Sequence, residues 1–237
     1  MTNEFEQAIQ QVINRIAPDC RDAVQEDLSK LGNRGVGSWQ DLVAVLNDPS
    51  AGEDRTTACW LIGRMADPRA FNQLASALHD RDPHLRAEAA RSLGVLDDLR
   101  AVPELLAALQ TDPDPDTRMS AAHSLGVLGD HRAVDPLLAK LADQNEDPRV
   151  RGFAAEALIS TQERRAVPFL IAALDDPSVE VRFWAAFALG ELRDSTALST
   201  LERLAQTDIA VLPGWWSVQD EAAAAIERIR AIQDYDR

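Results

Sequence analysis

"HRAVDPLLAKLADQNEDPRVRGFAAEALIST", residues 131–161, decides the fold when it is laid against its neighbours. Those neighbours are "LRAVPELLAALQTDPDPDTRMSAAHSLGVLGD" (99–130) and "RRAVPFLIAALDDPSVEVRFWAAFALGELRD" (164–194). The three are one unit copied. Followed outward, an inner arginine falls at Arg55, Arg86, Arg118, Arg151 and Arg182, at intervals of 31, 32, 33 and 31. The start of the first segment, at Arg69, Arg100, Arg132, Arg165 and Thr196, keeps the same intervals. A period of this length is the signature of a stacked repeat.

Each unit reads as two helices. The first, such as "AVPELLAAL", places Leu, Ile and Val at three- and four-residue spacing, with an early proline (Pro103, Pro168) where the amide has no intrahelical acceptor. The second is announced by Asp82-Pro83, Asp114-Pro115 and Asp147-Pro148, a capping oxygen followed by a residue whose φ is already helical. It then runs Arg-x-x-Ala-Ala-x-x-Leu-Gly in 86–94, 118–126 and 182–190, with small residues where helices must come close. The fourth unit departs, placing Ile159 where the others have Gly, and its following turn, "STQERR", is expected to be longer. One such pair cannot bury its apolar face alone, so copies share a continuous core as an α-solenoid. No β-branched runs alternate with the helices, which excludes a βαβ reading. The expected layout is a helical cap over 1–34, repeats over 35–206, and the rest of the last repeat with a closing cap over 207–237, all within one solenoid domain. The last repeat is stretched by "TDIAVLPGWWSVQ" between its helices.

Composition narrows the functions. The 237 residues are 46% hydrophobic, enough for a sizeable core. No apolar run approaches the ~20 residues that cross a bilayer, and the N-terminus has neither the basic start nor the apolar stretch of a signal peptide, so a cytoplasmic protein is expected. A formal charge of −15 argues against nucleic acid and anionic membranes, which are gripped by Lys and Arg. Only Lys30 and Lys140 are lysine among the 24 basic residues. Cys20 and Cys59 cannot form a disulfide scaffold and lack zinc-ligand spacing, so no metal or cofactor is expected.

The pattern "RAVPxLxxALxDxxxxVRxxAAxALGxL" resembles HEAT repeats, in particular the short HEAT-like repeats named after the phycobilisome lyases, over about residues 38–232. The resemblance implies an all-α right-handed superhelix of about six HEAT-like helix pairs, with the second helices on the concave side. Family members include bilin lyase subunits, but the shared motif is the part that builds the solenoid, and no catalytic residue carries over. Two enzyme readings fail on residues. A deoxyhypusine hydroxylase has His-Glu directly after the repeat arginine, where this chain has Ala87-Glu88, Met119-Ser120, Gly152-Phe153 and Phe183-Trp184. A HEAT-like alkylpurine DNA glycosylase needs a basic concave face, against the charge found here.

Candidate sites are sought where the copies differ. The arginine ladder itself is expected to satisfy turn carboxylates and carbonyls between units rather than to bind anions. Positions one, two and five after the arginine are expected on the outer side of the second helix. Position five reads Trp60, Arg91, His123, Glu156 and Phe187, position two Thr57, Glu88, Ser120, Phe153 and Trp184, and position one Thr56, Ala87, Met119, Gly152 and Phe183. His123 with Glu156 and Glu88 is expected to be a solvated groove wall rather than a metal or acid–base site. His79, His84 and His131 are expected exposed at turns. Phe183, Trp184 and Phe187 occupy positions that the repeat does not require to be apolar, so something covers them. Either the insert folds back so that Trp215 and Trp216 pack on them, or a partner does.

The reading that follows is a non-catalytic protein-interaction scaffold, with a partner-binding surface of Trp60, Arg91, His123, Phe153, Glu156, Phe183, Trp184, Phe187, Trp215 and Trp216. The alternative, implied by the resemblance, is a bilin lyase subunit or tetrapyrrole chaperone with Arg91 or His123 meeting the propionates.

Overall fold

The structure is a computed structural model that describes residues 3–15, 28–29, 31–65 and 67–235. Cys20 and much of the expected N-terminal cap lie outside the described residues. The described chain is helical: α1 (Asn3–Arg15), α2 (Trp39–Asn47), α3 (Asp54–Arg64), α4 (Ala70–Ala77), α5 (Pro83–Val95), α6 (Ala101–Thr111), α7 (Pro115–Leu128), α8 (Val134–Ala142), α9 (Pro148–Ala157), α10 (Val167–Ala173), α11 (Val179–Leu192), α12 (Leu198–Thr207) and α13 (Val218–Tyr235). From α2 on, the helices fall into six successive pairs, as the period predicts. They form two compact units, residues 1–104 and 105–237.

Local chemistry starts and stops these helices where the copies say it should. Asp82, Asp114 and Asp147 cap α5, α7 and α9, each side chain accepting the backbone N–H of His84, Thr117 and Arg149 respectively, with proline in the first turn. A second device opens the first helix of several pairs. Asp98 and Asp130 accept the backbone N–H two residues on at 2.9 and 2.8 Å, and the same carboxylates take the guanidinium of Arg100 and Arg132. The fourth unit does depart: α9 stops at Ala157, and the turn beyond Ile159 passes through a left-handed Gln162.

Packing in the 105–237 unit sets α7, α9, α11 and α13 side by side, with α8, α10 and α12 against them. In the 1–104 unit, α3 packs on α5, with α2 and α4 alongside. The repeat glycines make this approach possible. A Cβ on Gly126 would lie 2.7 Å from Ala157 Cα, and one on Gly190 2.9 Å from Ala225 Cα, closer than side chains allow. Leu, Val and Ala from both helices of each pair are fully buried, among them Leu85, Leu93, Leu125, Val150, Leu170 and Leu189.

Within each unit the arginine ladder ties neighbouring copies together. Arg55 donates to Asp80, Arg118 to Glu146 at 2.6 Å, Arg151 to Asp176 and Arg182 to Asp208 at 2.6 Å, so each reaches a carboxylate 25 to 28 residues on. Arg118 and Arg182 also donate to carbonyls of the turn before their own helix, Asp112 O at 2.7 Å and Asp176 O at 2.8 Å. The Arg151–Asp176 pair is wholly buried, and Asp176 also accepts Ser178 N–H and Gln144 Nε2. These guanidinium groups are engaged in the stack, as the ladder's regularity predicts.

Candidate functional site

The insert of the last repeat occupies residues 208–217 between α12 and α13. It folds back on itself: an isolated antiparallel bridge joins Val211 to Ser217, and Val218 N–H donates to Ala210 O at 2.9 Å. Gly214, with φ of +84°, supplies the left-handed residue that the reversal needs. Arg182 of the ladder holds the root of the loop through Asp208, which also accepts Ala210 N–H at 3.2 Å. Trp216 is anchored from the other side, its indole N–H donating to Glu221 at 2.8 Å, while Glu221, fully buried, also receives Arg228 at 2.8 Å.

This loop covers the aromatics of α11. Phe183 is 0% exposed and Trp184 6%, whereas Trp215 and Trp216 each remain 46% exposed. Ring centroids are 5.6 Å apart for Phe183–Trp215, 5.9 Å for Phe183–Trp216 and 5.2 Å for Trp184–Trp215, within the range of favourable aromatic pairs. Of the two covers expected for these rings, the structure shows the insert: Phe183 and Trp184, expected also as partner-contacting residues, form a floor beneath Trp215 and Trp216, while Phe187 stays half-buried. Position one after the arginine is buried in Ala87 and Gly152 too, because there the helix faces its neighbour. Gly152 shows how tight that contact is, since a Cβ on it would meet Trp184 Cδ1 at 2.9 Å. Position two is likewise turned inward in Glu88 and Ser120. Position five reaches solvent most, with Arg91 and His123 exposed and Trp60, Glu156 and Phe187 half-buried, while Met119 at position one and Phe153 at position two are half-buried as well.

From the insert an aromatic track continues across the unit. Trp184 meets Phe187 at 5.7 Å and Phe153 at 6.0 Å, and Phe153 meets His123 edge-on at 5.8 Å. Polar groups stand along it: His123 Nδ1 lies 3.7 Å from Glu156, and Arg228 covers Phe187 at 5.3 Å. Within the insert, Ile209 and Val211 are exposed. The structure thus brings together eight of the ten proposed surface residues.

The other two stand in the 1–104 unit. Trp60 on α3 carries the guanidinium of Arg64 4.4 Å above its ring, and Arg91 on α5 donates to Glu88 at 3.1 Å. Glu88 also accepts Ser92 Oγ at 3.2 Å. Cys59 beneath them is fully buried, and that burial pushes its thiol far above the ordinary range, leaving it un-ionised. His79, His84 and His131 are exposed. Among the described residues no group of three or more His, Cys, Asp or Glu is placed to hold a metal ion, and no helix is long and apolar enough to cross a membrane.

Paired helices, a ladder of inter-unit arginines and a variable second-helix face define an α-helical repeat protein of the armadillo and HEAT type. The HEAT-repeat family model matches residues 39–126, 96–147 and 134–212, and the chain belongs to that family. No curated protein sequence matches it. Among solved structures it is similar to YibA of Escherichia coli, at 20% identity and a TM-score of 0.58 over 91% of this chain and 71% of that one. It is also similar to the CpcE–CpcF complex of phycocyanin lyase from a Nostoc species, at 21% identity and a TM-score of 0.50 over 93% and 92%. A designed armadillo repeat protein for modular peptide recognition is a third, at 18% identity and a TM-score of 0.51 over 81% and 99%. At these identities the likeness is one of fold.

Proposed function

We propose that the chain is a non-catalytic cytoplasmic adaptor that holds a polypeptide segment on the second-helix face of the 105–237 unit, the face expected to be concave. The observation that carries this reading is the pair Trp215 and Trp216. Each presents nearly half of its surface to solvent, yet the loop bearing them is pinned by Asp208, by the 211–217 bridge and by the Trp216–Glu221 hydrogen bond. Aromatics held in place before a partner arrives make anchors without the entropy cost of ordering them. Phe187, Phe153, His123 and Glu156 extend the surface, while Phe183 and Trp184 support it from below. In the 1–104 unit Trp60 and Arg91 offer the corresponding positions. A protein partner fits better than nucleic acid or membrane, given the formal charge of −15.

Selection of a displayed random-peptide library on the full chain tests this. Selected peptides should lose at least tenfold in affinity for a Trp215→Ala/Trp216→Ala variant, measured well below the lowered melting temperature expected once the Trp216–Glu221 hydrogen bond and the cover over Phe183 are lost, as an interface anchor requires. Peptides that bind the variant equally well would refute the site. No selected peptide, together with a new visible absorbance band on adding a bilin, would instead favour a tetrapyrrole-handling role.

A further inference from the structure

In this molecule shielded carboxylates are met by cations. Asp80, Asp176 and Asp208 each take a ladder arginine, Glu146 takes Arg118 and Lys140, and buried Glu221 takes Arg228. Glu156, in the last turn of α9 on the aromatic track, breaks that pattern. Its Oε2 is shielded from solvent yet accepts no hydrogen bond, and the imidazole of His123 stands beside it with Nδ1 3.7 Å away, beyond hydrogen-bonding reach. The flanking second helices put His123 and Phe187 at the same repeat position, so neither supplies an arginine. Glu180, one helix over, is a second half-buried carboxylate, packed with its Cγ and Trp184 over Gly152. The cation that acts on it, Arg149, is already held by Asp116 and Asp147.

Resting on the docking reading above, we propose that the segment bound on this face carries a lysine or arginine beside its apolar anchor, and that Glu156 is the carboxylate that receives it. Three observations converge. A shielded carboxylate oxygen without a donor is an unfavourable state that a charge-assisted hydrogen bond from a partner relieves. Phe153, which contacts His123 across this spot, offers an aromatic surface against which a cation is also favourable. The formal charge of −15 attracts cationic segments and speeds their encounter. Trp215 then serves the apolar anchor and Glu156 the charge, which makes recognition depend on both together.

The test uses peptides selected from the displayed library on the full chain. They should be enriched in Lys or Arg next to an aromatic or aliphatic residue. For one such peptide, Glu156→Gln should raise Kd at least tenfold at low ionic strength, with a smaller factor at 0.5 M salt. Replacing the peptide's own cation by norleucine should raise Kd similarly, and combining both changes should cost little more than either alone. Peptides that need Trp215 but are neutral or acidic, or that bind Glu156→Gln as well as the parent, would overturn the assignment while leaving the docking face standing. Peptides indifferent to Trp215→Ala/Trp216→Ala would overturn both. Because Glu156→Gln removes no hydrogen bond within the chain, its melting curve should match the parent's, so a binding loss reports recognition.

Discussion

Truncating Trp184 to alanine separates a supporting aromatic from a surface one. Trp184 is 6% exposed, wedged against Gly152 and in ring contact with Phe153, Phe183, Phe187 and Trp215. A buried Trp removes about 200 Å² from water, which at ~25 cal/mol per Å² gives an upper figure of ~5 kcal/mol. Trp215, open to solvent on one side, can settle inward and fill part of the hole, so the expected cost is about 3 kcal/mol, at the lower end for a buried aromatic truncation. Trp215→Ala, at 46% exposure, should cost about 1 kcal/mol. Urea unfolding followed by circular dichroism supplies the two values, and hydrogen exchange shows where protection is lost. Amides of α9, α11 and α13 should loosen first, because stability in stacked repeats is mostly nearest-neighbour. A Trp184→Ala protein within about 1 kcal/mol of the parent, or one no worse than Trp215→Ala, would refute the idea that the insert seals these rings.

Two further outcomes follow from the arginine ladder. Arg151→Met leaves Asp176, buried and relying on that guanidinium, without its partner; it should destabilise by about 3–5 kcal/mol, and adding Asp176→Leu should restore part of the loss, both read by urea unfolding. Burial pushes the Glu146 carboxyl up, but hydrogen bonds from Arg118, Lys140 and the Asp147 N–H outweigh it and hold the group at about 2. A folded-state value below the unfolded one contributes stability that is complete above about pH 4.5 and is lost as pH falls toward 2, roughly 3 kcal/mol in all. Unfolding measured between pH 6 and pH 2 should therefore be flatter for Glu146→Gln than for the parent, and parallel curves would contradict that balance.

What could be read from the residues is what the chain records several times. The ladder arginine, the Asp-Pro cap, the Ala pair and the closing glycine each answer a local demand. These are an inter-unit carboxylate, an unsatisfied helix N–H, and a neighbouring backbone under 3 Å from a would-be Cβ. Where that demand recurs, so does the residue, and helix ends at Pro83, Pro115 and Pro148 follow from it. The aromatic site obeys no such copying. Whether Phe183 and Trp184 face a partner or the protein's own chain depends on the path of residues 208–217, and that path is set by contacts that occur once, such as Trp216 to Glu221 and Arg182 to Asp208. One signal was present in the sequence all the same. Position one after the arginine holds Gly152 in the preceding copy and Ala87 in an earlier one, residues small enough to admit an adjacent helix or, at Gly152, the indole of Trp184. A position that is small in some copies and aromatic in another marks a crowded seam between helices, where a large ring is buried by its neighbours. Phe183 stands in that seam, and so the surface available to a partner begins one layer further out, at Trp215 and Trp216.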